Sequence, residues 1–282
     1  MISPPGGPRS RFEAFDEQDA ASKSELAEHL RANHVQVAAQ YWQQLVRALA
    51  PDAAVRLLDA GCGAGYSLQA LRGGFPSLGL CGIDKSKELT AVSAARLAAS
   101  VFVSVQDAEQ LAFADASFDR VLAERLFSHL SDGKAEAVLA EIKRVMAPAG
   151  RFVMVDPNVA ALRFEHPAPE FTAELLEAYL SCFQNPCLAG PRAAALLVHS
   201  GFCGVQSTAV EVRHGKEGAS RIFGHMRSSC QRGLLRLGGH GSAERTRDLL
   251  ETWLAHFAAG PPDALIASST YYITSGWAAG GA

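Results

Sequence analysis

The chain has 282 residues, 48% of them hydrophobic, which suits one α/β domain with insertions or one domain plus a cap. Its formal net charge of −3 argues against a general nucleic-acid binder, because such proteins usually carry a basic excess. Residues 1–8 contain no apolar core like that of a signal peptide, and no apolar run is long enough to span a bilayer. We therefore expect a soluble, cytoplasmic protein.

Six cysteines are spread along the chain with no CxxC pair and no metal-ligand spacing. They are Cys62, Cys81, Cys182, Cys187, Cys203 and Cys230. We interpret them as small buried thiols in a reducing compartment and expect no metal site.

The amino-terminal region begins with a Pro/Gly-rich segment, and we expect residues 1–21 to form a flexible arm. The sequence Ser-Lys-Ser-Glu at 22–25 matches a capping box, which favours a helix start. Apolar residues then recur at helical spacing until Pro51, so the pattern predicts a long amphipathic helix. Residues 22–282 are expected to form the folded domain.

A glycine-rich turn dominates the next stretch. A short apolar run at 55–58 predicts a buried parallel strand that ends at Asp59. Gly61, Gly63 and Gly65 follow, and then a helical pattern begins. Strand, glycine turn and helix form the opening of a nucleotide-binding unit. Glycines allow a sharp turn and close approach of a ligand, while N–H groups at the helix start attract a carboxylate or phosphate.

The details of this turn distinguish between ligands. A dinucleotide fingerprint requires a third glycine where this chain has Tyr66, and Asp59 would face the pyrophosphate. Both features disfavour an NAD-dependent oxidoreductase. A carboxylate at this position suits a ligand with positive charge, and S-adenosylmethionine (SAM) carries an ammonium and a sulfonium but no phosphate.

The turn resembles motif I of class I SAM-dependent methyltransferases, [VIL]-[VIL]-[DE]-x-G-x-G-x-G. This resemblance implies SAM as the cofactor and S-adenosylhomocysteine (SAH) as its product. It also implies that the cofactor is bound by Asp59, Gly61, Cys62, Gly63 and Gly65.

A second apolar run ends at Asp84, which lies 19 residues past Gly65. This is close to the spacing of the ribose-binding acid after a glycine turn. An ionised carboxylate can accept hydrogen bonds from both vicinal hydroxyls of a ribose. We predict that Asp84 and the adjacent Lys85 belong to the cofactor site; the alternative is that Asp84 caps a helix that starts near Ser86.

Residues 107–119 resemble the family's D-A-x-x-L-P-F-x-D-x-S-F-D stretch, with Ala112 where proline is common. The resemblance implies that the Asp107 carboxylate meets the adenine amino group and that the N–H of Ala108 meets a ring nitrogen. The alternative for Asp107 is an ordinary loop acid.

Residues 124–157 resemble E-R-x-x-x-H-L-x-D…E-x-x-R-V-x-x-P-G-G-x-x-x-x-x-[DE]-P, which occurs in small-molecule methyltransferases of the ubiquinone and menaquinone biosynthesis type. Ala149 replaces the first glycine of P-G-G. The resemblance places the SAM-binding core at about 52–156 and weakens beyond Asp156.

The family implies an α/β fold: a Rossmann-like, mostly parallel seven-stranded sheet with helices on both faces, an amino-terminal helix across the pocket and a final antiparallel hairpin. Helical insertions at about 157–200 and 217–258 are expected to build a lid over the substrate.

Methyl transfer from a sulfonium is an in-line displacement that depends mainly on alignment and exclusion of water. A base is needed only when the nucleophile holds its proton tightly. His129, just after the fourth strand, is the candidate base, although it could equally pack at a helix start. Glu124 is the candidate for orienting the substrate or the SAM ammonium, and Arg125 could pair with Glu124 or with a substrate acid.

We therefore expect a SAM-dependent methyltransferase acting on an O, N or C atom of a small molecule, such as a specialised metabolite. The alternative is the same pocket used for a non-methylating reaction such as cyclisation. An RNA or protein methyltransferase is favoured only by the arginines of 221–236. No nucleic-acid or membrane partner is expected.

Overall fold

The computed structural model describes residues 15–51, 55–165, 168–181, 190–215, 243–259 and 265–278. Its strands are β1 (Arg56–Ala60), β2 (Gly79–Asp84), β3 (Phe102–Val105), β4 (Phe118–Glu124), β5 (Met146–Phe164), β6 (Cys203–Gly215) and β7 (Leu265–Trp277). Its helices are α1 (Ala20–Ala32), α2 (Ala39–Leu49), α3 (Tyr66–Gly74), α4 (Lys87–Leu97), α5 (Asp132–Val145), α6 (Pro169–Leu180), α7 (Pro191–His199) and α8 (Ala243–Ala259).

The seven strands form one sheet in the order β3-β2-β1-β4-β5-β7-β6. Strands β1 to β5 run parallel, and β7 lies antiparallel between β5 and β6. The predicted fold class is confirmed. The chain leaves β1 towards β2 and β3 on one side and returns to β4 and β5 on the other. A crevice therefore opens at the carboxyl ends of β1 and β4, where open α/β sheets bind their ligands.

Both faces of the sheet are buried, as the continuous apolar runs predict. Leu57 and Leu58 are adjacent in β1 and lie in two different apolar clusters. One cluster joins the sheet to α5 and α7, and the other joins it to α2 and α3. The helices on the two faces hold the strand ends, and with them the crevice, in a fixed arrangement.

The prediction of a helical segment from residue 157 is wrong for its first part. Strand β5 continues through Asp156 to Phe164, and helix starts only at Pro169. The reason is a partner distant in sequence: β7 pairs antiparallel with β5 from Arg151↔Trp277 to Phe164↔Ala267. Helices α6 and α7 lie within the predicted first insertion, and α8 covers the end of the second one. Residues 216–242, with the arginines of 221–236, lie outside the described residues.

The predicted flexible arm, residues 1–21, is too long, because the chain is already packed against the domain at Phe15. Phe15–Glu17 forms a short 3-10 helix in which Phe15 is buried and the Asp16 carboxylate accepts hydrogen bonds from Ser86 and from the N–H of Lys87. Helix α1 begins at Ala20, two residues before the predicted capping box. A π-helix, Asn33–Ala38, joins α1 to α2.

In the described part of the chain, no helix has the length and apolar character needed to cross a membrane.

Candidate active site

A cavity opens at the carboxyl ends of the strands, and we call it the central cavity. It is lined by the glycine turn after β1, by the ends of β2, β4 and β5, and by residues of α1 and the π-helix that lie across it. The cavity is lined by all the predicted cofactor residues except Gly65, and by His129. The sheet topology explains this grouping, because the ends of parallel strands meet at one edge of the sheet.

The glycine turn is held firmly against β2. The N–H groups of Gly61 and Cys62 both donate to the carbonyl oxygen of Ile83, at 2.9 and 2.8 Å. Gly61, Gly63 and Gly65 have φ values of +79°, +50° and +77°, which favour glycine. The N–H groups in the first turn of α3 have no partner within that helix and remain for a ligand.

Two of these glycines serve different purposes. A Cβ at Gly65 would lie 2.3 Å from the hydroxyl oxygen of Ser93, so Gly65 lets the turn pack against α4. A Cβ at Gly63 would meet no atom within 4 Å, and Gly63 lines the cavity. Gly65 therefore maintains the packing of the turn, while Gly63 leaves room for a bound molecule.

Asp59 is the penultimate residue of β1 and is 2% exposed. Burial raises its pKa well above the usual value, and the nearby carboxylates of Glu124 and Asp84 raise it further. Within the described residues, no side chain or N–H group donates a hydrogen bond to this carboxylate. The charge of Arg125 opposes the rise in pKa only in part, so the structure places a buried acid without a hydrogen-bond donor at the cavity.

Asp84 holds the glycine turn through hydrogen bonds and also lines the cavity. One carboxylate oxygen accepts from the N–H of Gly63 and the other from the N–H of Ser86, each at 2.9 Å. The side chain of Ser86, not that of Asp84, caps α4 by accepting from the N–H of Leu89. Burial raises the pKa of Asp84, although the N–H donors oppose that rise. Each carboxylate oxygen keeps a lone pair that could accept from a ribose hydroxyl.

Asp107, Lys85 and Ala108 form the edge of the cavity beyond β2 and β3. The ammonium of Lys85 lies 2.7 Å from Asp107, whose other oxygen accepts from the N–H of Glu109. Burial tends to raise the pKa of Asp107, but the hydrogen bonds of Lys85 and Glu109 outweigh it, and the net change is downward. No acceptor for the N–H of Ala108 occurs among the described residues, so this donor is available beside an ionised carboxylate.

Glu124, at the end of β4, is buried and held from two sides. One oxygen accepts from the hydroxyl of Tyr41 at 2.6 Å, and the other accepts from the hydroxyl of Ser67. The guanidinium of Arg125 lies 3.6 Å from the first oxygen, which is one of the two pairings considered for Arg125. The sequence analysis missed Tyr41 and Ser67, because nothing local links Tyr41 to a residue 83 positions later.

His129 ends a short 3-10 helix, Phe127–His129, and lines the central cavity. The Asp156 carboxylate accepts from the N–H groups of Phe127 and Ser128, at 3.4 and 3.0 Å. Burial raises the pKa of Asp156 to about 7. Asp156 therefore fixes the loop that carries His129, a role that the sequence analysis did not assign.

The cavity continues beyond the cofactor residues along the extended part of β5, β6 and β7. This part is lined by Pro157, Val159, Leu162, Tyr179, His214, Ser269 and Tyr271. None of them was predicted from the sequence, because they come from β5, α6, β6 and β7, which are distant along the chain and meet only in the folded structure.

A family model described as "Methyltransferase domain" matches residues 57–150. The O-methyltransferase cnsE of Penicillium expansum is 29% identical over 180 residues, which are 62% of this chain and 61% of that protein. The ubiquinone/menaquinone biosynthesis C-methyltransferase UbiE of Desulfotalea psychrophila is 32% identical over 134 residues, 47% of this chain and 54% of that protein.

Among solved structures, phosphoethanolamine N-methyltransferase 2 of Haemonchus contortus in complex with SAM has a TM-score of 0.56 at 16% identity, over 96% of this chain and 60% of that one. A likeness at this identity shows the fold. The chain spans 61% of cnsE and 54% of UbiE, and thus corresponds to only part of their length. The family model matches residues 57–150, and the strand order and the motifs at the sheet edge agree with that match, so this chain is similar to the class I SAM-dependent methyltransferases.

Proposed function

We propose that the chain binds SAM in the central cavity and transfers its methyl group to a small-molecule acceptor. The observation that carries this proposal is the group of three carboxylates around the glycine turn: Asp59 and Glu124, which are buried, and Asp84, which is half-buried. Burial and mutual repulsion raise the pKa of Asp59, and Arg125 contacts only Glu124 among the three. Such a site favours a cationic ligand over a phosphate.

The residues present fit this cofactor. Asp84 would accept from the ribose hydroxyls, Asp107 and the N–H of Ala108 would meet the adenine edge, and the first turn of α3 would face the carboxylate. Gly63 leaves space where a larger side chain would intrude. When bound, SAM supplies an electrophilic methyl group on its sulfonium. The protein's part is to orient the acceptor towards that methyl group and to exclude water.

The acceptor would occupy the part of the cavity beyond Arg125. This part is lined largely by apolar and aromatic side chains on β5, α6 and β7, which suits a small organic molecule. His129 lines the same cavity and remains the candidate base for an acceptor that must lose a proton. The relatives' printed activities, O-methylation and C-methylation in quinone biosynthesis, support acceptors of this kind.

Product analysis tests this proposal against the non-methylating alternative. The protein is incubated with SAM labelled in its methyl carbon and with a panel of phenols, hydroquinones and amines. We expect the label to move to at least one acceptor, with one SAH formed for each methyl group transferred. An acceptor that is converted while the labelled SAM stays intact would contradict methyl transfer and favour a cyclase-like use of the pocket.

A further inference from the structure

The end of the central cavity farthest from the glycine turn contains a buried polar pair. Nε2 of His214, on β6, lies 3.0 Å from the hydroxyl oxygen of Ser269, on β7. His214 is 6% exposed and Ser269 is 8% exposed, and both line the cavity. The sequence analysis assigned no role to either residue.

The strand register places this pair well beyond the cofactor residues. Glu124 pairs with Val155, and Val155 pairs with Ile273 of β7. Ser269 precedes Ile273 by four residues, which corresponds to about 13 Å along a strand at roughly 3.3 Å per residue. Tyr271 lies between them on the same face. The pair therefore lies at the far end of the cavity. The cavity wall leading to it is mostly apolar or aromatic, with Pro157, Val159, Leu162 and Tyr271.

A purely structural role explains this pair poorly. Strands β6 and β7 are already linked by a cross-strand bond between the hydroxyls of Ser207 and Thr274, at 2.9 Å, outside the cavity. Placing an imidazole and a hydroxyl in an apolar wall costs free energy that a hydrophobic pair would not. In the described part of the chain, the second ring nitrogen of His214 has no hydrogen-bond partner.

The pair is suited to an uncharged group. Burial lowers the pKa of His214 to about 4, so its imidazole is neutral near pH 7 and can donate or accept a hydrogen bond. Arg213, which directly precedes His214 in β6, is exposed, as expected for a side chain on the opposite face of the strand. A carboxylate at this point would therefore find no described cation beside it.

We propose that His214 and Ser269 bind an uncharged hydroxyl or carbonyl at the far end of an elongated, mostly apolar acceptor. The other end of that acceptor reaches the methyl group near Glu124 and His129. This inference rests on the proposed function, because it assigns the acceptor class to the same cavity. It makes the two residues determinants of acceptor specificity.

The test uses three phenols of equal length as probes. The first is para-heptylphenol. In the second, a hydroxyl replaces the terminal methyl group of the heptyl chain, and in the third, a carboxylate replaces it. Each is titrated calorimetrically into the SAH-saturated protein as wild type, His214→Phe, Ser269→Ala and Ser207→Ala. Ser207→Ala is the matched control, since it removes a β6–β7 side-chain bond outside the cavity.

We expect the wild type and Ser207→Ala to bind the alcohol about tenfold more tightly than either other phenol, the typical effect of one buried hydrogen bond. His214→Phe and Ser269→Ala should lose that preference while their SAH affinity is unchanged. Binding of none of the phenols, a preference for the carboxylate, or a preference retained in both cavity variants would overturn the inference. Failure of the wild type to bind SAH would instead overturn the proposed function.

Discussion

Asp59 is the residue through which we propose that the site distinguishes SAM from a dinucleotide. It is the penultimate residue of β1 and has no hydrogen-bond donor among the described residues; burial raises its pKa, and two further carboxylates raise it more. A cation bound nearby would lower that pKa and stabilise the ionised form. The same position disfavours a pyrophosphate, so under the proposed function Asp59 would favour SAM over a dinucleotide.

Asp59→Asn keeps the shape of this side chain and removes its charge. We expect SAM affinity to fall by roughly tenfold, on the order of 1.4 kcal/mol, and SAH affinity to fall less because SAH lacks the sulfonium charge. Calorimetric titration of SAM and SAH into both proteins measures the affinity that each ligand loses. Asp119→Asn is the control, since Asp119 bonds the N–H of Arg56 near the opposite end of the sheet. Equal losses for SAM and SAH would contradict a charge effect at the sulfonium.

Gly65 and Gly73 form a matched pair for testing the glycine turn. Gly65 has a φ of +77° and its Cβ would lie 2.3 Å from Ser93, whereas Gly73 in α3 has no atom within 4 Å of its Cβ. Gly65→Ala should reduce the free energy of unfolding by about 1–3 kcal/mol through backbone strain and the clash. Gly73→Ala should leave it unchanged or raise it by up to about 1 kcal/mol. Urea unfolding distinguishes them, and equal effects would refute the assigned role of Gly65.

At the scale of elements, the amino-terminal helices are part of the site. Helix α2 packs on the sheet through Tyr41, whose ring stacks on Tyr271 at 5.1 Å and whose hydroxyl donates to Glu124. Tyr41 thus links α2 to Glu124 at the end of β4 and to Tyr271, which lines the cavity. The family resemblance implies a helix across the pocket; α1 and the π-helix occupy that position, and Tyr41 ties the following helix, α2, to the sheet.

Tyr41→Phe removes the donor and keeps the ring. Because a buried carboxylate then loses a partner, we expect the free energy of unfolding to fall by about 1–3 kcal/mol. Thermal or urea unfolding measures it. Tyr272→Phe is the control: its hydroxyl makes no hydrogen bond among the described residues, and the change should stay within about 0.5 kcal/mol. An equally small effect of Tyr41→Phe would mean that Ser67 and water suffice for Glu124.

The elements differ in how far the sequence predicts them. Strand β1, its glycine turn and Asp84 follow from local patterns: an apolar run, glycine spacing and an acid at a strand end. The continuation of β5 to Phe164 could not be predicted, because its partner β7 lies about a hundred residues later. The same holds for Tyr41 beside Glu124 and for His214 beside Ser269, which only tertiary pairing brings together.

At the scale of the whole molecule, the chain joins a parallel half, where we propose that the cofactor binds, to an antiparallel extension, where we propose that the acceptor binds. Asp156 lies at their junction, where β5 passes from one half to the other. Its folded-state pKa of about 7 lies above the ordinary value of 3.8, so folding favours its protonated form. This contribution to stability is fully present below about pH 4 and is lost as the pH rises through about 7.

The pH dependence of unfolding tests this assignment. Between about pH 4 and 7, the free energy of unfolding of wild type should fall relative to that of Asp156→Asn, in which the titrating group is absent. The comparison cancels the contributions of the other acids. A constant difference between the two proteins across this range would show that Asp156 titrates normally.

The central claim, that the cavity binds SAM through the acids at the strand ends, is tested most directly by calorimetric titration of SAM, SAH and NAD into wild type and Asp84→Asn. We expect wild type to bind SAM and SAH but not NAD. Asp84→Asn should weaken the affinities for SAM and SAH by roughly ten- to a hundredfold, about 1.5–3 kcal/mol. The amide would present an N–H donor where one ribose hydroxyl needs an acceptor. Binding of NAD in place of SAM and SAH, or equal SAM affinity in both proteins, would contradict the account.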